Sequence, residues 1–254
     1  MTTTARRMGA LGRAELTLLV RNRYALFTAL LMPVLMVGVL RSSLDRVDLD
    51  GAGMSAVEAA LSGGVVMMLI LVVYLNLVSA YVARREELVL KRLRTGEASD
   101  PEILAGTALP AVVLAVAQSA LMVAAGVAFL DVRAPQRPEL FVGGVLIGML
   151  LLIALAGATA AVTRTVESAQ ITTMPVFLIS AVGSGLFIPL ETLPESVASV
   201  CELLPLTGVM TLIRAGWLGG GDAKELIGAA LTALAWTVIS VFAVQRWFRW
   251  EPRR

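Results

Sequence analysis

Residues Gly219, Gly220, Gly221 and Asp222 match the Gly-x-Gly-Asp pattern of intramembrane aspartyl proteases. That chemistry needs paired carboxylates, one protonated and one ionised. No second Asp falls within an apolar run, so the four residues read as a turn. Asp48, Leu49, Asp50 and Gly51 hint at a calcium loop, but Val57 stands where the bidentate Glu is required. Histidine is absent. This excludes Ser-His hydrolases, di-iron desaturases, His-ligated haem proteins and zinc proteases. Cys201 is the single cysteine, so neither an intrachain disulfide nor a cysteine metal cluster is expected. No phosphate-binding G-x-x-x-x-G-K-[ST] loop is present. The chain is therefore expected to hold no cofactor or metal and to perform no covalent chemistry. Work driven by ATP requires a separate ATPase.

The elements around these residues are membrane helices. Of 254 residues, 57% are hydrophobic and 16% charged, and mean hydropathy is +0.82. A soluble domain carries about 25% charged residues. A helical span takes about 20 apolar residues. The runs predict an all-α, single-domain membrane protein with six spans: residues 24–40, 62–83, 103–130, 140–163, 171–190 and 226–245. Pro33 is a probable kink in the first. No signal-cleavage pattern follows that run. Segment 84–102 is a dense charged loop, 164–170 a short link, 191–225 an external segment too broken by proline to form a straight span, and 246–254 a basic tail. Trp247 and Trp250 in that tail are expected at the membrane interface.

Lys and Arg set the orientation. With both termini cytoplasmic, inner segments hold 15 of the 21 basic residues and outer loops hold 6. Residues 1–23 read as an interfacial helix. Met8, Leu11, Leu16, Leu18, Leu19 and Val20 share one arc, and Arg6, Arg7, Arg13 and Arg21 lie on the other. Glu15 falls inside the apolar arc. It is read either as a snorkelling carboxylate or as one half of a salt bridge to another cytoplasmic segment.

The loop after the second span carries an ordered pattern. Glu86, Glu87, Lys91, Arg92 and Arg94 form a charged face, while Leu88, Leu90 and Leu93 form an apolar one. Ser99 or Asp100 can cap the next helix, with Pro101 at its first position. Leu90 to Arg94, Thr95 and Ser99 to Leu104 resemble the cytoplasmic loop of ABC-transporter permeases of the type-2 exporter class. Leu88, Val89, Gly96 and Glu97 depart from that pattern. Ser184 to Pro194, then Leu204 to Thr207 and Arg214, resemble the family's external segment. The resemblance covers nearly the whole chain. It implies a short coupling helix that docks on the ATPase through Glu87, Leu90, Lys91, Arg92, Leu93, Arg94 and Thr95. It also implies re-entrant helices between the fifth and sixth spans. ATP and magnesium would sit in the ATPase. The other implied partners are a second permease (a copy or a paralogue), the lipid bilayer and a small amphiphilic cargo, with no nucleic acid.

No charged residue is expected deep in a span, which weakens a reading as a proton- or sodium-driven transporter. Buried polar groups are neutral. Met67, Tyr74 and Tyr81 recur every seven residues on the second span, with Asn76 nearby, and Thr173, Phe177, Ser180 and Ser184 fall near one face of the fifth. They are read either as helix-packing residues or as the lining of a cargo path, since relatives use these two spans for that path. The resulting expectation is the permease of an ABC exporter in a bacterial cell membrane, moving a drug or antibiotic, or else a lipid or polysaccharide. The alternative is a stand-alone secondary transporter or channel.

Overall fold

The computed structural model describes residues 17, 20–44, 53–90, 99–186, 194–248 and 250. Within these, the chain is helical, with no strand. In chain order the helices are α1 (Arg23–Leu44), α2 (Gly53–Leu69), a π-helical turn (Ile70–Leu75), α3 (Asn76–Glu86), α4 (Asp100–Leu130), α5 (Pro138–Val162), α6 (Val166–Gly183), α7 (Glu195–Glu202), α8 (Thr207–Leu218) and α9 (Ala223–Trp247).

Five helices are long and apolar enough to cross a membrane: Val57–Glu86, Asp100–Leu130, Pro138–Val162, Val166–Gly183 and Ala223–Trp247. The apolar stretch of α1, Leu26–Leu40, is shorter than these. Helices α7 and α8 reach the required length only together, and they are bent by 92° at the break between them.

Local chemistry sets the ends. At α4, Ser99 is the N-cap and its backbone N–H donates to Glu102 Oε2 at 2.8 Å, one arm of a capping box. Asp100 is the first helical residue, so Pro101 takes the second position rather than the first. At α6, Ser168 N donates to Thr165 Oγ1 at 3.2 Å and Thr165 N donates to Ser168 Oγ at 2.9 Å. This cap starts α6 at Val166, five residues before the expected span and inside the expected link. The helix also ends early, at Gly183, where the expected fifth span ran to 190. The second span begins within the expected loop, because Glu58 is buried and accepts from Arg133 N at 3.3 Å. Gly219, at φ 79°, closes α8 in the left-handed conformation that glycine adopts without cost.

Helix α5 is the hub, packed by α9, α8, α3, α2 and α6. Small residues permit the approach, since apolar side chains gain little from leaving lipid for one another. A Cβ on Gly144 would fall 2.9 Å from Ile213 Cγ1, and one on Gly148 would fall 2.7 Å from a Val209 methyl. Helix α1 packs mainly on α4. Pro33 lies within α1, which continues through it.

Candidate functional site

Two ends of the bundle concentrate polar groups. We call the end bearing residues 84–99 and 163–165 the loop end, and the end bearing 131–137 and 219–222 the far end.

At the loop end, Arg85 is fully buried (0% exposed). Arginine is almost never fully buried without partners. Its Nη1 donates to Ala160 O at 2.9 Å, and its Nη2 donates to Thr163 O at 2.6 Å and Arg164 O at 3.2 Å. A helix leaves its last four carbonyls without intrahelical donors and presents a partial negative charge there. The guanidinium supplies both a donor fork and the opposite charge. One residue earlier, Arg84 Nη1 donates to Thr107 Oγ1 at 3.1 Å, and Tyr81 OH donates to Leu104 O at 3.0 Å. Phe248 sets its ring edge-on to Tyr81, with centroids 6.3 Å apart, and Trp250 meets Phe248 at 5.1 Å. The end of α3 is thus bonded to α4, to the end of α5 and to the link leading into α6, and the chain after α9 packs on it. Trp247 is exposed, while Trp250 turns inward to Phe248.

Beyond α3 the chain turns sharply. Glu87 is an exposed C-cap, Leu88 has φ 61° and is exposed, and Leu90 is buried. Leu90 was expected to project as an apolar knob toward a partner. Its 0% exposure corrects that, because the left-handed Leu88 folds the chain back and Leu90 is buried within the chain itself. Lys91, Arg92, Leu93, Arg94 and Thr95 lie outside the described residues, as does Glu15.

The eight expected path residues do not converge on one cavity. Tyr74 is buried, and its OH pairs with Thr159 Oγ1 at 3.0 Å. Tyr81 is bonded as above. Met67 and Phe177 are half-buried, and Asn76 is exposed. The π turn Ile70–Leu75 adds a residue to the winding of this span, so spacing by seven no longer reports one α-helical face. Thr173 donates back to Ala169 O of its own helix at 2.8 Å. Ser180 and Ser184 are buried, and the Oγ of each lacks a hydrogen-bond partner among the described residues.

Of these eight, Ser184 reaches a cavity of about 690 Å³ toward the far end, between the α7–α8 pair and α9. Glu202, Thr207, Arg214, Glu225 and Thr232 also line it. Arg214 Nη2 donates to Gly185 O at 2.8 Å, and Thr207 Oγ1 donates to Cys201 O, so both hold the surrounding turns. Trp236 Nε1 of α9 donates to Leu203 O at 2.7 Å. Sequence reasoning left Glu202 out because its stretch of chain reads as external. The amphipathic run around it was a signal of a helix, but not of where the helix lies.

The fold and its apolar helices define a multi-pass membrane protein. Residues 6–218 match the family described as ABC-2 type transporter, and the chain belongs to that family. No curated protein matches the chain.

Proposed function

We propose that this chain is the membrane-spanning permease subunit of an ATP-driven exporter in a bacterial cell membrane. The observation that carries this reading is the family match across residues 6–218. Permeases of this family pair with an ABC ATPase. In our reading, two permeases (copies or paralogues) join two ATPases, which hold the ATP and magnesium. Both termini face the ATPases, and α1 supplies the sixth span. The α7–α8 pair enters from the far end and returns to it. Two contacts support that course: Thr207 lies beside Gly183, and Trp217 Nε1 donates to Arg133 O at 3.2 Å in the far loop.

The loop end gives the proposed mechanism its linkage. ATP closes the ATPase pair and displaces the segment after Glu87. Arg85, fixed to the end of α5 and to the start of the α6 link, passes that displacement to both helices. Arg84 and Tyr81 pass it to α4. The path then opens at the far end to an amphiphilic or hydrophobic cargo, a drug or antibiotic before a lipid or polysaccharide. The test is purification with an ABC ATPase, followed by ATP hydrolysis in proteoliposomes with and without cargo. Stable association and cargo-stimulated hydrolysis support the reading. A chain that moves cargo with no ATPase present overturns it in favour of a secondary transporter.

A further inference from the structure

The far-end cavity places charge where a membrane helix does not tolerate it unmatched. Trp236 lies 13 residues beyond the start of α9 at Ala223, about 20 Å along it at ~1.5 Å per residue. The Trp236 bond to Leu203 O sets the end of α7 at that level. Glu202 is the residue before Leu203, so its carboxylate is carried well down a helix that crosses the bilayer. Glu225 lines the same cavity from the first turn of α9. Neither carboxylate has an ion-pair or hydrogen-bond partner among the described residues, and both are exposed. An ionised group at such depth pairs with another charge or marks a functional site.

The other charged lining residue, Arg214, is committed to Gly185 O. The lining therefore sums to one net negative charge. Ser184 adds a second, independent signal. It is 1% exposed, it lines the cavity, and its Oγ lacks a partner among the described residues. Buried polar atoms are normally satisfied, so this hydroxyl is available to a ligand. Met210, Leu203, Leu218 and Ala229 supply the apolar part of the wall. A volume of about 690 Å³ falls within the roughly 300–1,000 Å³ of small-molecule sites.

We propose that this cavity binds a lipophilic amine, with its ammonium between the Glu202 and Glu225 carboxylates and the Ser184 hydroxyl and its body on the apolar wall. Binding requires neither an ATPase nor the coupling role of the 84–99 loop, so this proposal and the exporter reading fail separately.

The wall itself supplies a clean test. Gly228 lines the cavity, and a Cβ built there meets nothing within 4 Å. Gly228→Phe therefore fills the cavity without a clash at Cβ. The full chain is reconstituted in nanodiscs, and binding of dansyl-octylamine is followed by dansyl fluorescence against empty nanodiscs. Dansyl-octanoate, with the same body and the opposite charge, is the control. We expect saturable binding of the amine and none of the carboxylate. Glu202→Gln should weaken amine binding about tenfold, the loss of one good charge contact. Gly228→Phe should abolish it, with elution and thermal unfolding unchanged. Equal binding of amine and carboxylate overturns the proposal. So does amine binding that survives Gly228→Phe, or a wild-type chain that binds no more than empty discs.

Discussion

Gln118 Nε2 of α4 donates at 2.7 Å to the carbonyl of Ala29 in α1, the carbonyl that would accept from residue 33 if residue 33 were not proline. Proline has no N–H to give. Within a membrane no water can take its place. Pro33 and Gln118 are therefore one device, and α1 runs on without a break because its neighbour repairs it.

This pairing predicts a double-mutant cycle. Gln118→Leu should cost about 1 kcal/mol, near the net worth of one hydrogen bond. The Gln118 Oε1, buried without a partner among the described residues, holds the cost down. In a Pro33→Ala background the helical bond returns, and Gln118→Leu should cost nothing or stabilise. Thermal unfolding of the four variants measures the coupling. Strict additivity would show that the bond does not serve Pro33.

Arg85 predicts a larger effect. Arg85→Met strips donors from three carbonyls and removes the cation from the end of α5. Bonds to charged groups contribute roughly 1.5–3 kcal/mol each, and the losses overlap, so about 3 kcal/mol is expected. For a chain of this size that is a fall of roughly 10 °C in Tm. Arg85→Lys keeps the charge but not the fork, so it should recover only part. An unchanged Tm in Arg85→Met would show that the guanidinium does not hold the helix end.

Two glycines should behave oppositely. A Cβ on Gly208 would run into the Ala229 carbonyl of α9, whereas one on Gly228 meets open space. Gly208→Ala forces α8 and α9 apart and should destabilise by more than 1 kcal/mol, within the roughly 1–3 kcal/mol of an overpacked core. Gly228→Ala should stabilise by about 0.5–1 kcal/mol, because alanine is the better helix former. Equal Tm shifts for the two variants would contradict the packing of α8 on α9.

Long helices were readable because apolar runs of membrane length have few other uses. Their ends were less so. The turn of helix holding Glu58 reads as loop, since one acid outweighs its neighbours until Arg133 N–H is known to meet it. Thr165 could have signalled the early start of α6, being followed three residues later by a second hydroxyl that returns the bond. Arg85 reads as one more solvated basic residue, because nothing in its spacing reveals that the end of another helix, 75 residues on, lies beside it. Glu202 reads as external for the same reason. Its depth comes from a bond between Leu203 and Trp236, which only the assembled fold brings together.

The proposed orientation predicts a labelling pattern. In a Cys201→Ser background, cysteine at Asp48 or Glu195 should react with an impermeant thiol reagent added outside intact cells. Cysteine at Arg94 or Arg249 should react only after the membrane is opened. Native Cys201 is buried and should label slowly from either side. The reverse pattern would invert the assignment of the loop end to the cytoplasm.

The final prediction concerns the surface offered to the ATPase. Across 84–102, Arg84, Arg85, Lys91, Arg92 and Arg94 balance Glu86, Glu87, Glu97, Asp100 and Glu102. Net attraction therefore cannot dock a partner, and apolar contact must contribute. With Leu90 buried inside the chain, exposed Leu88 and Leu93 are left to make that contact. Burying a leucine contributes roughly 1.5–3 kcal/mol. Leu93→Asp removes that and adds the cost of burying a charge. The variant should insert normally, since the change lies outside the spans, yet should lose its ATPase during purification and fail to export. Leu90→Asp should differ. It puts a charge into the chain's own interior, so the permease alone should lose stability. If Leu93→Asp keeps its ATPase and exports as wild type does, the loop is a solvated connection and the coupling role assigned to it is wrong.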